Sequence, residues 1–351
     1  MSIRILSASD VRAALPMPKA IDAMRHAYGQ LSAGTAVAPP RQHISTDKGV
    51  TLIMSAYLPG RSSGVKQSQI VPTQSQFGIK VVSVYDDNPN LDLPRITATV
   101  LVLDPATGAP KAVMDGASLT AIRTGAGGGL AADLLARQDA KTVGLFGAGV
   151  QARAQLQAVM AVREITRVNL ISRTQASAAQ LATEISEWTD APEVNVVATP
   201  QAVVEDADIV LCATTSATPL FDGNALRPGT HITAVGTFVP EKREVDTTTI
   251  RRADRIVVDS REACLAEAGD LIIPNAEIRT ENETPNSVKS ELVLGSAEIG
   301  EIVNGDKPGR QSDAEITFFK SVGVAVQDAV AGAAVLAAAE AKGLGTLVEM
   351  A

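Results

Sequence analysis

Only two cysteines occur in the 351 residues, Cys212 and Cys264, and no CxxC spacing. Two lone thiols exclude a disulfide-stapled scaffold and a cysteine-rich metal centre, leaving buried free cysteines as the expectation. No apolar run is long enough to span a bilayer, so no transmembrane helix and no membrane partner are expected. An excess of positive charge is missing too: 31 Lys and Arg stand against 39 Asp and Glu, a formal −8. That balance argues against a nucleic-acid surface. The opening Met1-Ser-Ile-Arg-Ile-Leu6 carries no secretory pattern, so the expected compartment is the cytoplasm. No internal repeat is visible. What the chain does have is 45% apolar and 20% charged residues, ample for packed cores at a length that suggests two domains.

The most informative run is Thr142-Val-Gly-Leu-Phe-Gly147-Ala-Gly149-Val150-Gln151-Ala152. A short apolar strand ends in GxGxxA and a helical pattern follows. Gly147 suits the tight turn, Gly149 lets backbone approach a pyrophosphate, and Ala152 keeps the helix near the sheet. β-Branched runs at 143–146, 167–171, 194–198, 209–213, 231–235 and 255–258 alternate with helical patterns at 154–162, 176–187 and 250–253. This predicts an α/β fold, a Rossmann doubly wound parallel sheet. The second of these strands ends in Ser172-Arg173-Thr174, with no Asp or Glu to bond ribose hydroxyls. A guanidinium between two hydroxyls suits a 2′-phosphate, so NADP(H) is favoured over NAD(H); a solvated arginine at a turn is the alternative.

The N-terminal half reads differently. Helical spacing covers 16–31, and strands at 51–55, 78–85, 96–103 and 111–115 predict a mainly antiparallel sheet. Residues 60–76, rich in Gly, Ser and Gln, read as a loop over the site. A helix at 119–135 contains Gly125-Ala-Gly-Gly-Gly129, read as a place of close backbone approach. The expected division is an α+β substrate-binding and dimerisation domain from 1–125 and 314–351, and a dinucleotide domain from 126–313. Three cations stand out in the first: Arg41 after two prolines, Lys80 inside an apolar strand, and Arg123 inside an apolar helix. A lysine there needs an anionic partner or must reach water with its head. Together the three can clamp a carboxylate, and Lys80 can exchange a proton with an imine or amine.

Gly78-Ile-Lys80-Val-Val-Ser-Val-Tyr85, Leu119-Thr-Ala-Ile-Arg123-Thr-Gly-Ala126, the Gly147 motif, Arg261-Glu-Ala-Cys-Leu-Ala-Glu-Ala-Gly-Asp270 and Phe319-Lys-Ser321-Val-Gly323-Val-Ala-Val-Gln-Asp328 together resemble the ornithine cyclodeaminase/mu-crystallin family over nearly the whole chain. The resemblance implies a homodimer built through the N-terminal half and the C-terminal helix. It implies that Arg41, Lys80 and Arg123 hold a substrate carboxylate and the reacting nitrogen, with Thr124 and Ser321 near the nicotinamide or phosphates. Thr214, Gly236 and Gly323 complete the expected cofactor set.

Departures narrow the chemistry. Cyclodeaminases carry a Glu where Thr51-Leu52-Ile53-Met54 has Leu52, and an Asp near the position of Phe238. Without these acids nothing obvious deprotonates a distal amine, which disfavours cyclodeamination. The expected activity is NAD(P)H-dependent reduction of a cyclic 2-imino acid, Δ1-pyrroline-2-carboxylate or Δ1-piperideine-2-carboxylate, to proline or pipecolate. Leu52, Met54 and Phe238 would wall the ring, or simply pack in the core. His43 would share a strand face with Arg41 and line the site; His26 and His231 read as structural. Asp86-Asp87-Asn88 reads as a solvated turn, and no metal site is expected. The rivals are an alanine-type dehydrogenase, a cyclodeaminase or dehydratase, and a crystallin-like binding protein that retains cofactor.

Overall fold

The computed structural model describes residues 2–60, 74–281 and 291–350. The chain divides into two compact units, Met1–Arg123 with Val324–Ala351, and Thr124–Gly323. It begins with β1 (Ser2–Leu6), α1 (Ala8–Ala14), α2 (Met17–Ser32), β2 (Gln42–Ser45), β3 (Val50–Leu58), β4 (Gln76–Val84), β5 (Ile96–Leu103), β6 (Pro110–Asp115) and α3 (Gly116–Leu135). The second unit continues with β7 (Thr142–Phe146), α4 (Val150–Met160), β8 (Arg167–Ile171), α5 (Gln175–Ser186), β9 (Glu193–Val196), α6 (Pro200–Val204) and β10 (Ile209–Cys212). After it come β11 (His231–Ala234), α7 (Thr247–Arg252), β12 (Arg255–Val258), α8 (Arg261–Glu267), α9 (Gly269–Glu281) and α10 (Glu291–Gly295). β13 (Ala297–Glu298), α11 (Ile299–Val303) and β14 (Thr317–Lys320) complete it, and α12 (Ala325–Lys342) and β15 (Thr346–Glu349) return to the first unit. No helix among the described residues is long and apolar enough to cross a membrane.

The first unit is a seven-stranded sheet in the order β15-β1-β6-β5-β4-β3-β2. Every pairing is antiparallel except β1 with β6. Period-two alternation splits each strand between two faces. On β3 it buries Leu52, Met54, Ala56 and Leu58, which pack with Ala27 of α2 and Val326, Ala329 and Val330 of α12. Burying one of the Leu, Met or Val side chains among them contributes about 1.5–3 kcal/mol. The opposite face presents Ile53, Tyr57, Phe77, Ile79, Leu101 and Val113, none of them buried. Between 61 and 73 the expected 60–76 loop lies outside the described residues, while Gln76 already opens β4.

The second unit is an all-parallel sheet in the order β13-β12-β14-β11-β10-β7-β8-β9. Both faces are covered, one core holding Val143, Leu145 and Leu170 and the other Val210, Ile232 and Phe318. Strands buried on both sides read as near-continuous apolar runs, which is why β7 and β10 stand out in the sequence. The glycine run of α3 does admit another backbone: a Cβ on Gly125 would come within 2.5 Å of the Ala154 carbonyl oxygen on α4.

The second boundary differs from the expected 313/314. Thr317–Lys320 forms β14, inserted between β11 and β12, so the chain leaves this unit only after Gly323. A four-residue strand ending in lysine gives little pattern to read. Lys320 is nonetheless wholly buried, held 2.6 Å from Asp270.

Candidate active site

In the first unit, alternation along β4 turns Lys80 onto the helix-covered face, in register with Met54 of β3 and Val100 of β5. It is 1% exposed. Its Nζ lies 2.7 Å from Asp328 Oδ2, and the Nε of Arg123 lies 3.0 Å from Oδ1 of the same carboxylate. Arg123 Nη1 also donates to Gln327 Oε1 at 2.8 Å, and Gln327 Nε2 donates to the Tyr28 hydroxyl at 2.7 Å. The Arg123 Nη2 group has no hydrogen-bond partner among the described residues. Asp328 and Gln327 sit in the first turns of α12, which is how the C-terminal helix contributes to the cluster.

One carboxylate thus serves two buried cations, and Arg41, just before β2, adds its charge to the field at Lys80. Burial, then Arg123, pulls the Lys80 pKa from 10.5 to about 7 against the opposing pull of Asp328, with Arg41 lowering it further. Such a site favours an added anion and carries an amine able to exchange protons near neutrality. Leu52 and Met54 are core residues on the same face as Lys80. His43 is exposed on the edge strand β2, opposite Leu52. Phe238 belongs to the second unit, half-buried against its core.

That unit holds a cavity of about 650 Å³ at the C-terminal ends of β7, β8 and β10, where the strand order reverses. Open parallel sheets bind ligands at this kind of switch point. Gly147, at φ +106, makes the turn; a Cβ there would approach the Ala213 carbonyl oxygen to 2.5 Å. Gly149 is the N-cap of α4 with no side-chain cap, and a Cβ on it would meet nothing within 4 Å. Uncapped first-turn N–H groups facing open space fit a pyrophosphate.

Of the expected cofactor residues, Gly147, Gly149, Ser172, Arg173, Thr174 and Thr214 line the cavity. Val150 and Gln151 form the first turn of α4 beside it, and Ala152 is buried beneath. Among the described residues no Asp or Glu lines the cavity. Thr124 accepts a hydrogen bond from Gln155 Nε2 at its carbonyl. Ser321 and Gly323 are not in the lining. The Ser321 hydroxyl and the Val322 and Gly323 N–H groups all donate to one oxygen of buried Asp259, a structural tie. Gly236 likewise stands behind the lining, its N–H on Glu244.

Ala148, Ser177, Pro200, Thr215, Ser216 and Leu220 line the cavity without having been anticipated. Most lie within a few residues of a strand's end, and that position was the available signal. Missed as well were Asp328, Glu244, Asp259 and Asp270, acids whose partners are remote in sequence. His231 is structural: its ring sits between the Thr317 and Thr233 hydroxyls, and burial lowers its pKa to about 3. Burial likewise lowers His26 to about 4. Cys212 and Cys264 are buried free thiols, and no group of His, Cys, Asp and Glu suited to a metal occurs among the described residues.

A doubly wound parallel sheet with a glycine turn at its switch point, in one chain with a second unit that holds a cluster of buried cations, defines a dinucleotide-binding protein of the two-unit kind. The chain belongs to the ornithine cyclodeaminase/mu-crystallin family, whose model matches residues 1–343. It is 35% identical over 350 residues to a Δ1-pyrroline-2-carboxylate reductase of Bacillus cereus, covering 98% of this chain and 99% of the relative. Among solved structures it matches Thermococcus litoralis Δ1-pyrroline-2-carboxylate reductase, in complex with NADH and L-proline, at 37% identity and a TM-score of 0.85 over 98% of this chain and 99% of that one. An archaeal alanine dehydrogenase dimer with bound NAD matches at 30% identity and a TM-score of 0.85 over 100% of both chains.

Proposed function

We propose that this protein is a ketimine reductase. It converts a cyclic 2-imino acid, Δ1-pyrroline-2-carboxylate or its six-membered homologue, into the corresponding L-imino acid. The observation that carries the reading is the shared counterion: Lys80 and Arg123 divide Asp328 between them, leaving surplus positive charge and a lysine whose pKa is about 7. A substrate carboxylate supplies the missing anion, taken by Arg123 Nη2 and Arg41. Lys80, as the ammonium form, donates to the imine nitrogen and keeps it protonated, which makes the ring carbon electrophilic. Asp328 and Gln327 orient the two cations. The nicotinamide cofactor, when bound in the switch-point cavity, supplies the hydride. One hydride on carbon and one proton on nitrogen balance the reduction. The proline held by the Thermococcus litoralis relative supports this substrate class.

Cofactor choice turns on Arg173, flanked by Ser172 and Thr174 with no acid among the described lining residues, which favours NADP(H) over NAD(H). The apolar sheet face of Ile53, Phe77 and Ile79 suits a second copy of this chain, and the archaeal alanine dehydrogenase it resembles is a dimer. Likeness to that enzyme also supports a second reading, amination of a small 2-oxo acid. The cytoplasm is where both substrates would be met. The test is oxidation of NADPH and NADH with Δ1-pyrroline-2-carboxylate, with ornithine alone in a parallel tube. Rapid oxidation with the imine and no ammonia from ornithine supports the reductase. Oxidation only with pyruvate and ammonia favours the dehydrogenase, and no oxidation with either cofactor sinks both.

A further inference from the structure

Behind the dinucleotide cavity, buried Glu244 touches two turns at once. Its Oε1 accepts from the Thr214 N–H at 2.7 Å and from the Thr214 hydroxyl at 2.8 Å, and its Oε2 accepts from the Gly236 N–H at 2.7 Å. Thr214 follows β10 and lines the cavity with Thr215 and Ser216; Gly236 follows β11. The two turns press together so closely that a Cβ on Gly236 would overlap the Thr214 carbonyl oxygen and Glu244 Oε1. The backbone of Glu244 belongs to the same wall: its carbonyl accepts from Leu220, another lining residue, at 2.8 Å. Its N–H is tied to Asp270 Oδ1 at 2.6 Å.

We propose that Glu244 is a positioning residue for the cofactor, an anionic clasp that sets the Thr214–Ser216 wall of the cavity against the turn at Gly236. Three donors converge on two oxygens, an arrangement that only a carboxylate without a proton satisfies in full. The groups facing it are Asp270 of α9, Lys320 of β14 and Cys212 of β10. Lys320 is held 2.6 Å from Asp270, so the clasp faces an ion pair already formed. Burial first, then the Asp270 charge, raise the Glu244 pKa well above its usual 4.5, while Lys320 and the Thr214 bonds oppose the rise. Acidification then places a hydrogen where the turn donors point, and the wall loosens. The inference rests on the reading of the cavity as the dinucleotide site.

Glu244→Gln keeps the shape and removes the charge. Two readouts decide the matter: NADH affinity by nicotinamide fluorescence, and amide hydrogen exchange of the cofactor-free protein. The clasp predicts exchange at Thr214 and Gly236 about tenfold faster in the variant, with the β7 and β10 strand amides unchanged, and NADH binding about tenfold weaker, the scale of one lost charge-assisted bond. Wild-type affinity should fall by a similar factor from about pH 8 to about pH 6, and the variant should show no such fall. Unchanged exchange at both amides overturns the proposal. Faster exchange throughout the unit also overturns it, because Glu244 would then serve stability alone. If E244Q does not fold, exchange at Thr214 and Gly236 relative to the strand amides of the wild type, at the two pH values, decides it. If the wild type binds no nicotinamide dinucleotide, the cavity reading fails while the exchange arm still judges the clasp.

Discussion

The two units each bury a lysine beside an aspartate, and the two lysines behave oppositely. Lys80 and Lys320 are 1% and 0% exposed, and their ammonium nitrogens lie 2.7 and 2.6 Å from Asp328 and Asp270. Burial penalises both charges equally in kind. Lys320 has Asp270 without a rival cation, a second acid in Glu244, and the Thr237 carbonyl at 2.8 Å; its pKa is raised despite the burial, chiefly by Asp270. Lys80 shares Asp328 with Arg123 and feels Arg41 as well, so its pKa falls to about 7. Distance to the nearest carboxylate therefore says little about a buried lysine's task. What distinguishes them is which sign of charge is in excess. Around Lys320 two acids, Asp270 and Glu244, face one cation and hold its proton, and the pair is structural; around Lys80 the cations outnumber the single carboxylate, and the deficit is the shape of a missing anion.

Removing each lysine separates the two roles. Lys80→Met should cost about 10⁴-fold in kcat/KM for imine reduction, the upper range for a general acid, while urea unfolding changes little because Asp328 keeps Arg123. Lys320→Met should cost about 3 kcal/mol of unfolding free energy or more, read from the same urea curves, because it strands Asp270 beside Glu244. Should Lys320→Met leave stability intact, the contrast collapses. Asp328→Asn removes the shared counterion and leaves two cations facing each other. It should lower kcat/KM about tenfold to a hundredfold and shift the pH profile to lower pH. The smallest effect is on the unmodified protein: kcat/KM should decline up to about tenfold per pH unit above about 7 as Lys80 loses its proton. Stability should move the other way. The folded pKa lies below the unfolded 10.5, so the folded chain holds fewer protons between about 7 and 10.5. The cost of burying the charged lysine is fully present below that window and is relieved as pH rises through it.

Much of this contrast was half-legible in the sequence. Lys80 in Gly-Ile-Lys-Val-Val announces itself because a charge interrupts a strand pattern, and the glycine turn at Gly147 does so because strand, turn and helix follow in order. β8, β12 and β5 match their apolar runs residue for residue. The partners were not legible. Asp328 sits in an alanine-rich helix whose pattern speaks only of packing, and nothing local ties it to Lys80 or Arg123. Asp270, Glu244 and Lys320 come from α9, the segment before α7, and β14; their pairing exists only in three dimensions. β14 was missed for the same reason, since a strand ending in lysine looks solvent-facing until its counterion is known. Ser321 was expected near the cofactor from its motif, but the bond of its hydroxyl to Asp259, another acid with no local signature, was not legible.

Lysine side-chain NMR titration of the intact protein, with Lys80→Met and Lys320→Met as assignment controls, reads the protonation states of both buried lysines. The Lys80 signal should titrate near 7, and the Lys320 signal should remain that of an ammonium up to its ordinary 10.5. Lys80 holding its proton as firmly as Lys320 would contradict the account, because the shared counterion would then confer no chemistry.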